Sequence, residues 1–192
     1  MRLVLASASP RRADLLRAAG FAFVVRPASI DESATPHESA AALVQRLAAA
    51  KAAAVAIADP LDVVIGADTV VVLDGRILGK PRDDGDATAM LERLSGRGHE
   101  VLTGVAVRQG GRAIVSVEET RVYFAPLRAD EIAWYVASGE PRDKAGAYGI
   151  QGLASRFVER IEGSHANVVG LPVAAVQRAL KSLGIAPFGS SG

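Results

Sequence analysis

Two segments of the chain place anion-binding groups and carboxylates where a phosphate-bearing ligand would need them. The first is Ser7-Ala8-Ser9-Pro10-Arg11-Arg12, which follows the apolar run Leu3 to Ala6. Ser9 suits a helix N-cap and Pro10 the first helical position. A helix start offers backbone N–H groups and partial positive charge, and arginine adds a bidentate grip on phosphate. The same residues would also make an ordinary Ser-Pro cap with two solvated arginines. The second is Gly66-Ala67-Asp68-Thr69, after Val63-Val64-Ile65. A carboxylate just after a buried strand lies where open α/β sheets bind ligands, and it can orient water or hold a divalent cation. It can equally cap a turn. Asp31 and Glu32 offer a second carboxylate for such a cation.

Three weaker segments follow. In Gly79-Lys80-Pro81, the proline restricts Lys80 towards an extended backbone that projects its amine. This is not a Walker loop, which needs Gly-x-x-x-x-Gly-Lys-Ser/Thr. Asp143-Lys144-Ala145-Gly146-Ala147-Tyr148-Gly149-Ile150-Gln151-Gly152 sets three glycines around polar side chains. Its backbone can approach a planar ligand, and Gln151 can donate and accept at the edge of a base. A glycine-rich surface turn would read the same way. In Gly163 to Pro172, Asn167 suits either bracing a loop or touching a ligand.

The four lysines, Lys51, Lys80, Lys144 and Lys181, stand against eighteen arginines. Lysine offers a compact, mobile ammonium that can do what a planar guanidinium cannot, and the bland reading is that the four simply fell where they fell. With no cysteine, disulfides and thiolate chemistry are excluded, and His37, His99 and His165 are too dispersed for a zinc motif. A net charge of +1 gives no basis for binding nucleic acid or an acidic membrane. The opening apolar run is too short for a signal-peptide core, and Leu47 to Ala58 falls short of a membrane span. The expectation is a cytoplasmic protein.

These residues need a scaffold, and the pattern supplies an α/β one. Strands are expected at Leu3 to Ala6 and Phe21 to Val25. Asp62 to Leu73 is expected to be broken at residues 66–69, with Asp74-Gly75 turning into Arg76 to Leu78. His99 to Gln109 and Arg112 to Phe124 are expected as an antiparallel ribbon extending from the main sheet, and Ser155 to Ile161 as a last strand. Helices are expected at Pro10 to Ala19, His37 to Ala58, Asp84 to Leu94, Ala129 to Ala137 and Pro172 to Leu183. With aromatics at 5%, the core must be mainly Ala, Val, Leu and Ile. One domain over residues 1–188 is expected, with a disordered tail at 189–192.

In their order, the motifs resemble the Maf family of nucleoside triphosphate pyrophosphatases. The matching elements include residues 5–12, 31–32, 66–71 and 79–81, then Leu-Ser-Gly-x-x-His at 94–99, Thr-Gly-Val at 103–105, 143–152 and 167–172. The resemblance implies a mixed β-sheet with flanking helices and two lobes around a deep cleft, similar to inosine triphosphate pyrophosphatases, often as a homodimer. It implies Asp68 as the catalytic acid or base, with Glu32 and Asp68 at a divalent metal, Mg²⁺ or alternatively Mn²⁺. Ser7, Arg11, Lys51 and Lys80 would hold the triphosphate, and Lys144 would belong to the cleft. Arg11, Thr69 and Gln151 match positions tied to substrate choice in the dTTP/UTP branch, whereas the 7-methyl-GTP branch typically has Gln at the position of Thr69. The implied activity is hydrolysis of dTTP or UTP to monophosphate and pyrophosphate. Alternatives are a non-catalytic nucleotide-binding regulator of septum formation and an inosine or xanthosine triphosphate pyrophosphatase.

Overall fold

A computed structural model of the chain describes residues 1–57, 59 and 61–186. The expected tail at 189–192 and the expected helix end at Ala58 lie outside these residues. Among the described residues, seven strands form one mixed sheet: β1 (Leu3–Leu5), β2 (Val24–Val25), β3 (Val63–Leu73), β4 (Arg76–Leu78), β5 (Gly98–Gln109), β6 (Arg112–Phe124) and β7 (Val158–Glu162). Their order is β2-β1-β3-β5-β6-β7, with β4 paired to β3. The helices are α1 (Pro10–Ala18), α2 (Ala40–Ala56), α3 (Asp84–Leu94), α4 (Ala129–Ala137), α5 (His165–Val169) and α6 (Val173–Ser182). No helix among the described residues is long and apolar enough to cross a membrane.

The chain divides into two compact units. The first comprises Met1–Asp68, Thr103–Glu118 and Gly170–Gly192, the second Thr69–Leu102 and Glu119–Val169. In the first unit, β1 pairs in parallel with β2 and β3, Leu3 opposite Val63 and Leu5 opposite Ile65. Alternation along the strands sends side chains to opposite faces. Leu5, Val63, Ile65 and Ala67 pack with Ala13 and Leu16 of α1 and Val176 and Leu180 of α6. Val4, Ala6 and Val64 pack with Ala48, Ala52 and Val55 of α2. Burial on both faces explains why these strands read as continuous apolar runs.

The second unit has the aromatic core that bulk composition did not foreshadow. Phe124, Tyr135, Tyr148 and Phe157 meet edge-on or tilted, with centroids 4.8 to 6.2 Å apart. Around them pack Val71, Leu73, Leu91, Leu94 and Ile132. Asn167 braces this unit from α5: its Nδ2 donates to the Val101 carbonyl at 2.9 Å and to Thr120 Oγ1 at 3.0 Å.

Several expectations are corrected. β3 runs unbroken through residues 66–69, so Asp68 lies within a strand rather than at its end. Gly66 is there for packing and makes no turn: a Cβ on it would lie 2.1 Å from the Ala48 carbonyl oxygen and 2.8 Å from Ala52 N. Rather than projecting as a ribbon, β5 and β6 lie inside the sheet. Strand β2 covers only Val24–Val25, and a 3-10 turn over Leu153–Phe157 precedes β7. Helix α2 starts at Ala40, because Ser39 Oγ caps it by accepting from Ala42 N at 3.2 Å and His37 has φ 63°. The segment around Asn167, expected as a loop, forms the short helix α5.

Candidate active site

Helix α2 lies unusually close to the sheet, and that approach builds the chemical centre of the first unit. Its Ala-rich face meets two glycines, Gly66 of β3 and Gly104 of β5. A Cβ on Gly104 would fall 2.1 Å from the Val44 carbonyl oxygen. Alanine favours the helix while adding little bulk. Val64, Gly66 and Asp68 alternate onto the face that α2 covers. Lys51, one residue before Ala52, therefore meets Asp68: Nζ donates to Oδ1 at 2.7 Å, with both residues buried.

Glu32 completes this cluster, its Oε1 2.8 Å from Lys51 Nζ, although its side chain is exposed. The segment that carries it is tied down by Arg46 of α2, which donates to both oxygens of Glu38 at 2.7 and 2.8 Å and to the Ser33 carbonyl at 2.9 Å. Those bonds, Arg46 first and the Thr35 amide second, hold the Glu38 carboxyl down at about 2. Of the two neighbouring acids, only Glu32 is ion-paired to Lys51. Asp31 accepts from Ser33 N at 2.9 Å, and the Ser33 hydroxyl first and that amide second keep its carboxyl below the usual range. One buried ammonium thus joins two carboxylates from different segments.

Beside it stands the β1–α1 loop. Ser7 is buried, and its Oγ accepts from Ser9 N and from Arg12 Nη1, both at 3.2 Å. The same Nη1 donates to the Ala67 carbonyl at 2.8 Å, and Nε donates to the Gly170 carbonyl at 2.8 Å. Burial lowers the Arg12 guanidinium from its ordinary value, and the charge of Asp68 opposes that shift. Sequence reasoning selected Arg11, which is half-buried in the first turn of α1, and passed over Arg12. The signal was present: Arg12 lies four residues before the buried Leu16, hence on the inward face of α1.

The second unit carries the remaining candidates. Thr69 is half-buried in β3, and Lys80 is exposed after β4. Gly146 N donates to the Gly79 carbonyl at 3.0 Å, which brings the backbone beside Lys80 to the 145–147 turn. Lys144 Nζ donates to the Glu140 carbonyl at 2.7 Å and to Asp143 Oδ1 at 2.6 Å, so it is engaged within its own loop. Gln151 is exposed at the tip of a turn over residues 149–152. The loop leading to it is anchored by Tyr148, whose hydroxyl lies 2.8 Å from His99 Nε2. Burial keeps that imidazole neutral down to about 4. Among the described residues, no group of three or more His, Cys, Asp or Glu is placed to hold a metal ion.

The Maf-like protein family matches residues 2–183. A dTTP/UTP pyrophosphatase of Symbiobacterium thermophilum is 52% identical over 97% of this chain and 96% of its own. One of Anaeromyxobacter is 55% identical over 95% of this chain and 90% of its own. One of Koribacter versatilis is 52% identical over 96% of each. Among solved structures, the Staphylococcus aureus Ham1 protein matches 95% of this chain and 100% of its own with a TM-score of 0.53. At 15% identity it shares the fold alone.

Proposed function

The chain belongs to the Maf family, and from that membership we propose that it hydrolyses the pyrimidine triphosphates dTTP and UTP to the monophosphate and pyrophosphate. Relatives more than half identical carry the name dTTP/UTP pyrophosphatase. The observation that carries the proposal is the buried Lys51 ammonium shared by Asp68 and Glu32. A protein that only bound triphosphates would need cations alone. Carboxylates at that cation are what hydrolysis adds.

In this mechanism Asp68 takes a proton from a water molecule as the water oxygen bonds to the α-phosphorus. The bond from that phosphorus to the α,β-bridging oxygen breaks, and pyrophosphate leaves. Lys51 stabilises the charge gathering on the phosphoryl oxygens, a preorganised electrostatic effect worth about 3 kcal/mol per donor. Ser7 and Arg11 hold the phosphates, and Arg12 fixes the loop that carries them. The resemblance assigns Lys80 to phosphate, and Thr69 and Gln151 to the choice of base.

Glu32 and Asp68 suit a divalent cation, Mg²⁺ or Mn²⁺, because both already converge on one positive group, within 2.8 Å of it. Magnesium takes one or two protein carboxylates, with substrate phosphates and water completing its shell. When bound, it would neutralise charge on the triphosphate. Assembly as a homodimer and a cytoplasmic location also belong to this proposal, the first on the resemblance alone.

The test is pyrophosphate release from dTTP, UTP, CTP, ATP, GTP, ITP and XTP, with and without a chelator. The expected kcat/KM for dTTP and UTP exceeds that for the others by about tenfold or more, a difference of ~1.4 kcal/mol. Chelation removes turnover, and added Mg²⁺ or Mn²⁺ restores it. Preference for ITP or XTP would sink the pyrimidine assignment, and silence on every substrate would leave a nucleotide-binding regulator.

A further inference from the structure

The turn that exposes Gln151 is held at both ends by side chains that none of the site motifs contains. Gly152 N donates to the Gly149 carbonyl at 3.0 Å, so Ile150 and Gln151 form the middle of a four-residue turn. At its first foot, Gly149 N donates to the Tyr135 hydroxyl at 3.3 Å. Just past its second foot, Leu153 N donates to Glu140 Oε2 at 2.9 Å. The two holders are themselves joined, because the Tyr135 hydroxyl donates to Glu140 Oε1 at 3.0 Å.

The fit around this pair is close. A Cβ on Gly152 would lie 2.3 and 2.4 Å from the Glu140 carboxylate oxygens, so glycine is required for that carboxylate to reach Leu153 N. A Cβ on Gly149 would lie 2.7 Å from Lys144 Cε. Lys144 in turn donates to the Glu140 carbonyl at 2.7 Å and fixes the backbone from which the Glu140 side chain starts. Tyr135 is fully buried, and burial together with the neighbouring carboxylate raises its phenol above the usual range, so it remains a donor.

Resting on the proposed function, the geometry points to Glu140 as a positioning residue for base recognition: with Tyr135 it clamps the feet of the turn that presents Gln151. Gln151 lies on an exposed turn whose orientation depends on its ends. A clamp built from one carboxylate and one phenol fixes the backbone of that turn before substrate arrives and reduces the ordering cost of binding. Glu140 touches no substrate and acts through Gln151.

A double-mutant cycle with amide hydrogen exchange tests this. Glu140→Ala is expected to raise KM for UTP by about tenfold with kcat within about threefold of wild type. Gln151→Ala should do the same, and the double variant should be no worse than the poorer single one, because both remove one interaction. Glu140→Gln, which keeps an acceptor for Leu153 N and can donate to the phenol oxygen, is expected to recover most of the loss. In Glu140→Ala the Gly149 and Leu153 amides should exchange about tenfold faster or more than in wild type. If Glu140→Ala does not fold, Tyr135→Phe releases only the first foot and should accelerate exchange at Gly149 while raising KM. Additive effects with Gln151→Ala, a fall in kcat at constant KM, or unchanged exchange each overturn the clamp. A wild-type protein inactive on UTP contradicts the proposed function instead, and exchange alone then decides the clamp.

Discussion

Asp68→Asn is expected to cut pyrophosphate release from UTP by about a thousandfold, within the range lost when a general base is removed, while the fold survives. The amide is isosteric and its oxygen can still accept the hydrogen bond that Lys51 donates at 2.7 Å. What it cannot do is take a proton from water. Lys51 also keeps its ion pair with Glu32, so the buried ammonium is not left unpaired. A steady-state assay beside a thermal melt checks both halves. Wild-type release from the folded variant would remove Asp68 from its assigned role.

Gly66→Ala is the second large effect, and it arises from packing rather than chemistry. The added methyl would sit 2.1 Å from the Ala48 carbonyl oxygen and 3.1 Å from the Ala52 Cβ, so α2 must lift from β3. Overpacking against backbone costs about 3 kcal/mol, which for a chain of this size lowers Tm by roughly 6–12 °C. Lifting α2 also separates Lys51 from Asp68, so activity should fall even at temperatures where the variant is folded. Gly111→Ala is the control: nothing lies within 4 Å of a Cβ there, and its effect should stay within about 0.5 kcal/mol. Equal melting temperatures for the two variants would refute the close helix–strand contact.

These two residues also mark the limits of the sequence. Asp68 was legible because a carboxylate after a buried apolar run is locally unusual, and the ordered motifs joined it to Glu32 and Lys51. The structure brings those three side chains onto one another. Gly66, two residues earlier, was misread as a strand breaker because its local preference favours a turn. Its actual partner, the backbone of α2, is 14 to 18 residues away in the chain and leaves no local mark. Arg12 was missed although Leu16, one turn on, marks the inward face of α1 that the two share. The Asp74-Gly75 hairpin was read correctly, since both residues adopt the positive φ that this dipeptide tolerates. The Tyr135–Glu140 clamp was beyond reach, because its members come from α4, the turn after it and the glycine-rich loop, and each is ordinary alone.

The most direct measurement is hydrolysis of UTP by the wild-type protein in ¹⁸O-labelled water, with mass analysis of both products. Attack at the α-phosphorus with water activated by Asp68 predicts one labelled oxygen in UMP and none in pyrophosphate. Label in pyrophosphate, or formation of UDP and labelled orthophosphate, would contradict it.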